Sequence, residues 1–414
     1  MRLASAPAVT ALTLPNSASE ALPGLPLSEM TSRSAGDSST PNDSSPRNGP
    51  AAASGLSIPD WPGELIPTSA CVEALLRSGD WARYESQARE QLREAMRERW
   101  GVAPRLCCSG TAAMEIALRA AGIGPGDEVI VPAFDYPGNL RCVELVGAKP
   151  VLADVLADGV TLDPDDLESA AGGSVRGVIV SHLFGRAAAI EPIVEICDRY
   201  GWLLFEDACQ VPGMRIGGQP AGTLGDVGTL SFGGGKPLTS GSGGALLINH
   251  PRIAARIGGL LDRPSDAFPL SPLQAAVLLP QLPKLDESDR RRLATVRSLN
   301  AEPEALASWE FLRSPQERVP LPVFYKLAWL APSRATRDEI IRLAGSRGIP
   351  IGAGYRSAAR MSGRRCRKPL PLTRSETLAN RLCLLDHRAL LVAPEAHGCL
   401  LQALREIHDQ TRDT

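Results

Sequence analysis

Several features that would point to nucleic acid, membranes or structural zinc are missing from this 414-residue sequence. The formal net charge is only -2, so no whole-chain field gathers nucleic acid. No run approaches the roughly 18 to 20 apolar residues that a membrane helix needs. The nine cysteines include no C-x-x-C pair and no Cys/His spacing typical of zinc sites. We therefore expect an untargeted cytoplasmic protein with reduced thiols that binds neither nucleic acid, membrane nor metal.

Aromatic residues are scarce, at 4%, but the content of 43% apolar and 22% charged residues is typical of a globular chain. The length favours two packed domains. Residues 1–55 are rich in Ser, Ala, Pro, Asn and Gly, and they cannot bury enough apolar surface to offset the entropy lost on ordering. We predict a disordered tail over 1–55, a large domain over 56–255 and a small C-terminal domain over 256–414.

Strand and helix patterns alternate through the predicted large domain. Predicted strands cover 102–108, 128–132, 149–154, 175–182, 202–207, 228–232 and 244–249, and predicted helices cover 82–100, 114–121 and 189–200. This alternation predicts the α/β class, with a mostly parallel sheet between two layers of helices.

Helical patterns predominate after about residue 251. Helices are predicted over 272–282, 288–299, 337–347, 375–388 and 399–410, with strands over 319–325 and 389–393. These elements predict a second, smaller α/β domain, and no internal repeat at solenoid periods interrupts them.

Three positions could carry chemistry, and each also has an ordinary structural interpretation. Ser109-Gly110-Thr111 opens a predicted helix, where free N–H groups favour a phosphate, although such a tripeptide is more often a simple N-cap. Asp207 ends an apolar strand at the edge where parallel sheets build their sites, but a strand-end carboxylate often caps a loop. Lys236 follows three glycines, and lysine can hold a carbonyl compound as an imine, whereas most loop lysines are simply solvated.

The loop of Lys236 is not a nucleotide-binding P-loop. That motif, G-x-x-x-x-G-K-[ST], requires Ser or Thr directly after the lysine, and Pro237 stands there.

Taken together and in order, these stretches resemble the DegT/DnrJ/StrS family of pyridoxal-phosphate-dependent sugar aminotransferases, which have the aspartate-aminotransferase-like fold type I. The resemblance rests on Ser109-Gly-Thr-Ala-Ala113, Gly124-Pro-Gly-Asp-Glu-Val-Ile-Val-Pro132, Val146-Gly-Ala-Lys-Pro-Val151, His182-Leu-Phe-Gly185, Glu206-Asp-Ala-Cys-Gln210, Gly225-Asp-Val-Gly228 and Ser231-Phe-x-x-x-Lys236. It implies a large domain with a mostly parallel, seven-stranded-type sheet, a smaller C-terminal α/β domain, and a homodimer.

The resemblance also implies a role for each matching residue. Lys236 would be the catalytic residue, carrying pyridoxal 5'-phosphate as a Schiff base and moving a proton between the substrate and the cofactor. Asp207 would pair with the ring nitrogen and keep it protonated. Gln210 would hydrogen-bond near the phenolic oxygen, and Tyr136 would stack on the ring. The cofactor phosphate would be held by Gly110, Thr111 and Ser231.

Two departures from the family pattern affect substrate recognition. The family has Gly-Glu-Gly-Gly after the lysine, where this chain has Gly241-Ser-Gly-Gly244. The family also has Asn-x-Arg-Met before a Ser-x-Leu-Gln-Ala-Ala helix, where this chain has Ala267-Phe-Pro-Leu270 before Ser271. We therefore expect that a phosphate contact from the partner subunit is missing or replaced.

Two further features have competing explanations. The basic loop at 360–368 could attract a nucleotide diphosphate on a sugar substrate, but a solvated charged loop is the more common case. His182 is expected to pack at or cap a strand end, with no catalytic role.

The leading hypothesis is an aminotransferase that takes an amino group from an amino acid such as glutamate. The acceptor would be a keto sugar, a nucleotide-linked keto sugar or a cyclitol ketone. One alternative is other pyridoxal-phosphate chemistry on the same fold, such as sugar dehydration, against which Lys236 argues because His replaces the lysine in that branch. Another is a catalytically degenerate relative with a regulatory or scaffold role.

Overall fold

The computed structural model describes residues 56–62, 68–157, 159–261, 267–302, 306–312, 319 and 321–412. The predicted tail over 1–55 lies outside these residues. The described α-helices are α1 (Ser69–Ser78), α2 (Gln87–Trp100), α3 (Gly110–Ala121), α4 (Pro137–Leu145), α5 (Asp165–Ala170), α6 (Ile190–Tyr200), α7 (Pro251–Leu261), α8 (Pro272–Leu278), α9 (Leu285–Asn300), α10 (Arg334–Ser346), α11 (Thr373–Arg381) and α12 (His397–Thr411).

The larger sheet is formed by the strands β1 (Arg105–Cys107), β2 (Glu128–Pro132), β3 (Lys149–Ala153), β4 (Val175–Ser181), β5 (Leu203–Asp207), β8 (Val227–Ser231) and β9 (Gly244–Ile248). These seven strands lie in the order β1-β9-β8-β5-β4-β2-β3. Neighbouring strands from β3 to β8 pair in parallel, and only β9 pairs antiparallel with its neighbours. The predicted mostly parallel seven-stranded sheet is confirmed. Between β5 and β8 in the sequence, β6 (Arg215–Ile216) and β7 (Gln219–Pro220) form a separate short antiparallel ribbon.

The large sheet is buried on both faces because its strands carry continuous apolar runs. In β2, Val129 and Val131 pack into one core with Met114 of α3, while Ile130 points into a second core with Ile193 of α6. Successive strand residues point to opposite faces, so an uninterrupted apolar run needs cover on both. The observed helices on the two faces supply that cover.

A second sheet is formed by β10 (Glu310–Phe311), β11 (Lys326–Leu330), β12 (Ile351–Ala353) and β13 (Leu382–Asp386), in the antiparallel order β10-β11-β13-β12. One face of this sheet shares a core with α10 and α12, which includes a stacked pair of indole rings at Trp309 and Trp329. The other face packs with Phe134 and Phe184. A smaller α/β unit is therefore present near the C-terminus, while the predicted boundary between residues 255 and 256 stays a prediction.

Three predictions for the C-terminal region are wrong. The helix predicted over 375–388 ends at Arg381, and Leu382–Asp386 forms the buried strand β13. A short apolar run has no periodicity that separates a buried strand from a helix, so pairing with β11 and β12 decides the outcome. The strand predicted over 319–325 is replaced by β11, which begins only at Lys326, and the strand predicted over 389–393 is instead a short 3-10 turn.

The carboxyl ends of β2, β4 and β5 meet at one edge of the large sheet. Ser181, the last residue of β4, pairs in register with Asp207, the last residue of β5. Parallel strands place their carboxyl ends together, and this is the edge at which open α/β sheets bind ligands. Within the described part of the chain, none of the helices combines the length and apolarity that a bilayer span requires.

Candidate functional site

Asp207 lies at this edge with only 5% of its surface exposed. Its Oδ1 accepts a hydrogen bond from the backbone N–H of Cys209 at 2.9 Å, and its Oδ2 accepts one from Nδ2 of Asn139 at 2.7 Å. The carboxylate is therefore held in one orientation. The hydrogen bond from Cys209 is the loop cap expected of a strand-end aspartate. The hydrogen bond from Asn139 is an additional contact that loop capping does not require.

Lys236 lies on the loop between β8 and β9, and its Nζ is 4.8 Å from the centre of the Tyr325 ring. Burial acts to lower the pKa of the Lys236 ammonium, but attraction by Tyr325, Cys209 and Asp207 outweighs that effect and leaves the pKa raised. The backbone carbonyl of Lys236 accepts a hydrogen bond from Nε1 of Trp61 at 2.8 Å. Lys236 is thus a partly buried amine within the electrostatic reach of Asp207, and not a solvated loop lysine.

The start of α3 lies against the end of β8. Ser109 is the N-cap, and its side chain accepts a hydrogen bond from the N–H of Ala112. The N–H groups of Gly110 and Thr111 have no acceptor within the helix because they lie in its first turn. A Cβ built on Gly110 would lie 2.8 Å from Cβ of Ser231, so only glycine allows this approach. The structure therefore brings a helix start and the Ser231 hydroxyl together, an arrangement suited to a phosphate.

Gln210 has a fixed amide orientation. Its Oε1 accepts the backbone N–H of Phe184 at 2.7 Å, so its Nε2 faces the other way and donates to the Tyr355 hydroxyl at 3.2 Å. Phe184 adopts a left-handed backbone conformation, with φ of 57°, which is uncommon for a residue other than glycine. A strained residue thus orients a hydrogen-bond donor at the site.

Tyr136 lies at the mouth of the site with 39% of its surface exposed. Its ring meets Tyr355 edge-to-face at 5.9 Å. A Cβ on Gly138 would lie 2.2 Å from Cε1 of Tyr136, so the ring position depends on glycine at 138. An exposed aromatic ring that packs against Tyr355, the hydrogen-bond partner of Gln210, is available to stack on a planar ligand.

Two tyrosines of the site come from the region of the second sheet and were not predicted from the sequence. Tyr325 directly precedes β11, and Tyr355 follows β12 and stacks on Phe184 at 5.4 Å. Burial raises the pKa of Tyr355 well above its usual value, so its hydroxyl stays protonated. No sequence signal marks either residue, because each reaches the site only through packing of the two sheets.

Three polar residues behind Asp207 were also missed, namely Asp135, Asn139 and Ser181. A signal for them existed, because Asp135 follows β2 and Ser181 ends β4, and polar residues at the carboxyl ends of parallel strands are candidates for a site.

His182 and the basic loop have structural roles. His182 is fully buried, with Nε2 bonded to Glu206 at 2.8 Å and Nδ1 accepting the N–H of Ala188, in agreement with its predicted packing role. In the basic loop, Arg365 pairs with Glu144 and Arg367 pairs with Glu128. This internal pairing favours the charged-loop interpretation over a nucleotide diphosphate site.

The two departures from the family pattern are accommodated locally. Nε2 of Gln274, in α8, donates to the Ser242 hydroxyl at 2.6 Å, so Ser242 ties its loop to that helix. In the segment before Ser271, the carbonyl of Phe268 accepts the backbone N–H of Cys108.

Known proteins resemble this chain over much of its length. A sequence model of the DegT/DnrJ/EryC1/StrS aminotransferase family matches residues 68–397. The chain is 35% identical over 273 residues to L-glutamine:2-deoxy-scyllo-inosose aminotransferase of Streptomyces kanamyceticus, covering 58% of this chain and 63% of that protein. It is 37% identical over 193 residues to GDP-perosamine synthase of Caulobacter vibrioides, covering 44% of this chain and 52% of that protein. The matched stretch spans less than two thirds of the length of these relatives.

Solved structures show the same fold. The structure of 3-amino-5-hydroxybenzoic acid synthase superposes with a TM-score of 0.78 at 24% identity, covering 87% of this chain and 100% of that chain. The structure of DesV from S. venezuelae, in complex with a ketimine intermediate, superposes with a TM-score of 0.74 at 29% identity, covering 83% of this chain and 95% of that chain. The large sheet and its helices thus have the fold type I architecture of pyridoxal-phosphate aminotransferases, and the chain belongs to the DegT/DnrJ/EryC1/StrS aminotransferase family.

Proposed function

We propose that this protein is a pyridoxal-phosphate-dependent aminotransferase that moves an amino group from an amino acid to a sugar-like ketone. One observation carries the proposal. The primary amine of Lys236 lies in the electrostatic reach of the buried carboxylate of Asp207, at the edge of the sheet where a helix start and a hydroxyl can take a phosphate.

Each functional group of the cofactor has a chemically matching residue in the site. A carbonyl requires a primary amine, which Lys236 provides, and a cationic ring nitrogen requires an anion, which Asp207 provides. The phosphate requires N–H and O–H donors, and the contact of Gly110 with Ser231 places such donors together. The buried carboxyl of Asp207 forms no salt bridge within the described residues, so a cationic ring would supply a direct ionic partner in addition to the attraction of Lys236.

Each residue would then have a distinct task. When bound, pyridoxal phosphate supplies a carbonyl that accepts amines and a protonated ring that stabilises negative charge on the neighbouring carbon. Lys236 Nζ would bind the cofactor covalently and move a proton at the substrate α-carbon. Asp207 would keep the proton on the ring nitrogen, and Gln210 Nε2 would donate toward the phenolic oxygen. Tyr136 would cover the ring and exclude water.

The relatives support a narrower substrate class. The name of the Streptomyces relative gives glutamine as donor and a cyclitol ketone as acceptor, and the name of the Caulobacter relative gives a nucleotide-linked amino sugar. We infer that the donor here is glutamate or glutamine and that the acceptor is a cyclitol ketone or a keto sugar. The internal pairing of the basic loop favours an acceptor without a nucleotide.

The working form that we propose is a cytoplasmic homodimer with a large domain up to residue 255 and a small domain from residue 256. No disulfide is present among the described cysteines, which suits a reducing compartment. The small domain would contribute Tyr325 and Tyr355 to the site.

The test is visible absorbance spectroscopy of the purified protein mixed with pyridoxal phosphate. We expect a band from the cofactor joined to Lys236, which Lys236→Ala abolishes. Glutamate or glutamine should then bleach the band of the wild-type protein, because the amino group moves onto the cofactor.

Lys326→Arg is the matched control. Nζ of Lys326 also lies 4.8 Å from the Tyr325 ring, but it forms an ion pair with Asp386 that arginine can keep. This variant should retain the band. A wild-type protein without any band would contradict the proposed cofactor chemistry, and a band that no amino acid bleaches would contradict the transferase function.

A further inference from the structure

Four polar side chains from adjacent strand ends form a buried cluster behind the site. Asp135 follows β2, Asn139 lies in the first turn of α4, Ser181 ends β4 and Asp207 ends β5. All four are buried, with Asp135 exposed by only 7% and Asp207 by only 5%. The cluster therefore contains two carboxyl groups, of which only Asp207 has a role in the proposed function.

The hydrogen-bond geometry shows how the two carboxyl groups are joined. Nδ2 of Asn139 lies 2.7 Å from Oδ2 of Asp207, 3.0 Å from Oδ2 of Asp135 and 3.0 Å from Oγ of Ser181. The Ser181 hydroxyl donates to Asp135 at 2.9 Å, and its oxygen accepts from Asn139. The two N–H groups of Asn139 thus serve three acceptors, and because two of these are the carboxyl groups, Asn139 links Asp135 to Asp207.

The two carboxyl groups of the cluster have no direct ionic partner among the described residues, although the Lys236 ammonium attracts the charge of Asp207. Burial, followed by the charge of Asp207, raises the pKa of Asp135 to about 7. Within the described residues no salt bridge reaches either carboxyl group, and a buried pair of this kind is stabilised by a nearby cation. Among the described residues, the titratable groups that interact with the two carboxyl groups are Cys142 in α4, Cys209 after β5, Lys236 after β8, and Tyr355 after β12, while Tyr136 contributes only its backbone N–H, which donates to Asp135.

We propose that Asp135 is a positioning residue that acts through Asn139 on Asp207 and strengthens the hold of the site on a protonated ring nitrogen when Asp135 is ionised. This inference rests on the proposed function, since the ring belongs to the cofactor. Asp135 does not touch the ring. The side-chain amide of Asn139 separates the negative charge of Asp135 from Asp207. Little solvent screens that charge because the cluster is buried.

The consequence is a linkage between cofactor binding and the ionisation of Asp135. A cationic ring beside Asp207 favours the ionised form of Asp135, so ring binding promotes loss of its proton. Ring affinity must then rise as the pH passes through the titration of Asp135, relative to a variant that cannot ionise there.

The test measures the dissociation constant of pyridoxamine 5'-phosphate at pH 6 and pH 8.5 for the wild-type protein and for Asp135→Asn. This probe carries the same ring and phosphate but no carbonyl, so covalent attachment to Lys236 does not contribute. Titration of the probe itself is common to both proteins and cancels in the ratio of their dissociation constants. If ring binding lowers the pKa of Asp135 by one unit from about 7, we expect the wild-type advantage in dissociation constant to grow about fivefold between the two pH values, because pH 6 already lies within the titration.

Asp166→Asn is the matched control. Burial also raises the pKa of Asp166, but that carboxyl group contacts the backbone N–H of Asp154 and the side chain of Arg374. The ratio of its dissociation constant for the probe to that of the wild-type protein should not change with pH. Asp135→Ser provides a second variant if Asp135→Asn does not fold, and it should behave in the same way.

The outcomes separate this inference from the function on which it rests. The probe could bind while the ratio of the dissociation constant of Asp135→Asn to that of the wild-type protein stays constant or falls as the pH rises. That result would overturn the role of Asp135 and leave the aminotransferase proposal standing. Absence of binding to the wild-type protein at both pH values would overturn both.

Discussion

At the scale of single residues, the buried carboxyl of Asp135 should set a pH dependence of stability. Its pKa is about 7 in the folded chain, against 3.8 for the unperturbed group. The unfolded state therefore binds fewer protons than the folded state between these values, and stability falls as the pH rises through this window. In Asp135→Asn this loss is absent.

The expected result is that the free energy of unfolding of Asp135→Asn, relative to that of the wild-type protein, increases by about 3 kcal/mol between pH 5 and pH 8. Urea unfolding of both proteins without cofactor measures this difference. A difference that does not change with pH would show that Asp135 is already ionised at pH 5.

Individual residues also show what sequence reasoning could reach at the site. Lys236, Asp207 and Ser231 stand in motifs whose spacing along the chain indicates their chemistry, and the structure places all three at one edge of the sheet. Asp135 follows a predicted strand and Ser181 lies near the carboxyl end of another, so the strand-end rule could have identified both. Their connection through Asn139 could not be predicted, because it depends on side chains that meet across three strands.

At the scale of elements, the turn after β4 fixes how closely the segment that carries Tyr325 approaches. A Cβ on Gly185 would lie 1.8 Å from the carbonyl oxygen of Val323, and Gly185 has a φ of 86°. Gly185→Ala therefore combines a backbone clash with an unfavourable left-handed conformation. We expect it to lower the free energy of unfolding by about 3 kcal/mol or more and to weaken cofactor binding.

Gly201→Ala is the control, because Gly201 also has a positive φ, of 66°, at the end of α6, but its Cβ would meet nothing within 4 Å. It should cost only about 1 kcal/mol, which is the conformational part alone. Thermal unfolding compares the two variants. Equal costs would mean that the contact between residues 185 and 323 relaxes without penalty.

Elements differed in how well they could be predicted. For most strand ends in the large sheet, the predicted and observed positions differ by no more than one residue. The reason is that each strand is an apolar run of strand length bounded by turn residues. The strand β13 was predicted as a helix because Leu382-Cys-Leu-Leu continues the apolar pattern of α11 without a glycine or proline between them.

At the scale of the whole molecule, a segment far away in the sequence holds the loop of Lys236. The Trp61 indole donates to the Lys236 carbonyl, and its ring packs edge-on against His387 at 4.8 Å. Trp61→Phe keeps most of the ring contact and removes the hydrogen bond. We expect the dissociation constant for pyridoxal phosphate to rise about fivefold, in keeping with the loss of one hydrogen bond.

Trp81→Phe serves as the control, since Trp81 is 50% exposed. It should leave the dissociation constant unchanged when both variants are titrated by visible absorbance. An unchanged constant for Trp61→Phe would show that the loop holds its position without this bond.

The sequence by itself determined the fold class and the order of the strands along the chain, and it predicted the residues that we propose for the main chemistry. Those features depend on local patterns: apolar runs, glycines at turns, and motifs in a set order. Only the tertiary structure decided which distant side chains complete the site. Trp61, Tyr325 and Tyr355 reach Lys236 and Gln210 from both ends of the chain. The hydrogen bonds of Trp61 and Tyr355 join residues 175 and 145 positions apart. Packing between segments so distant in the chain leaves no local signal in the sequence.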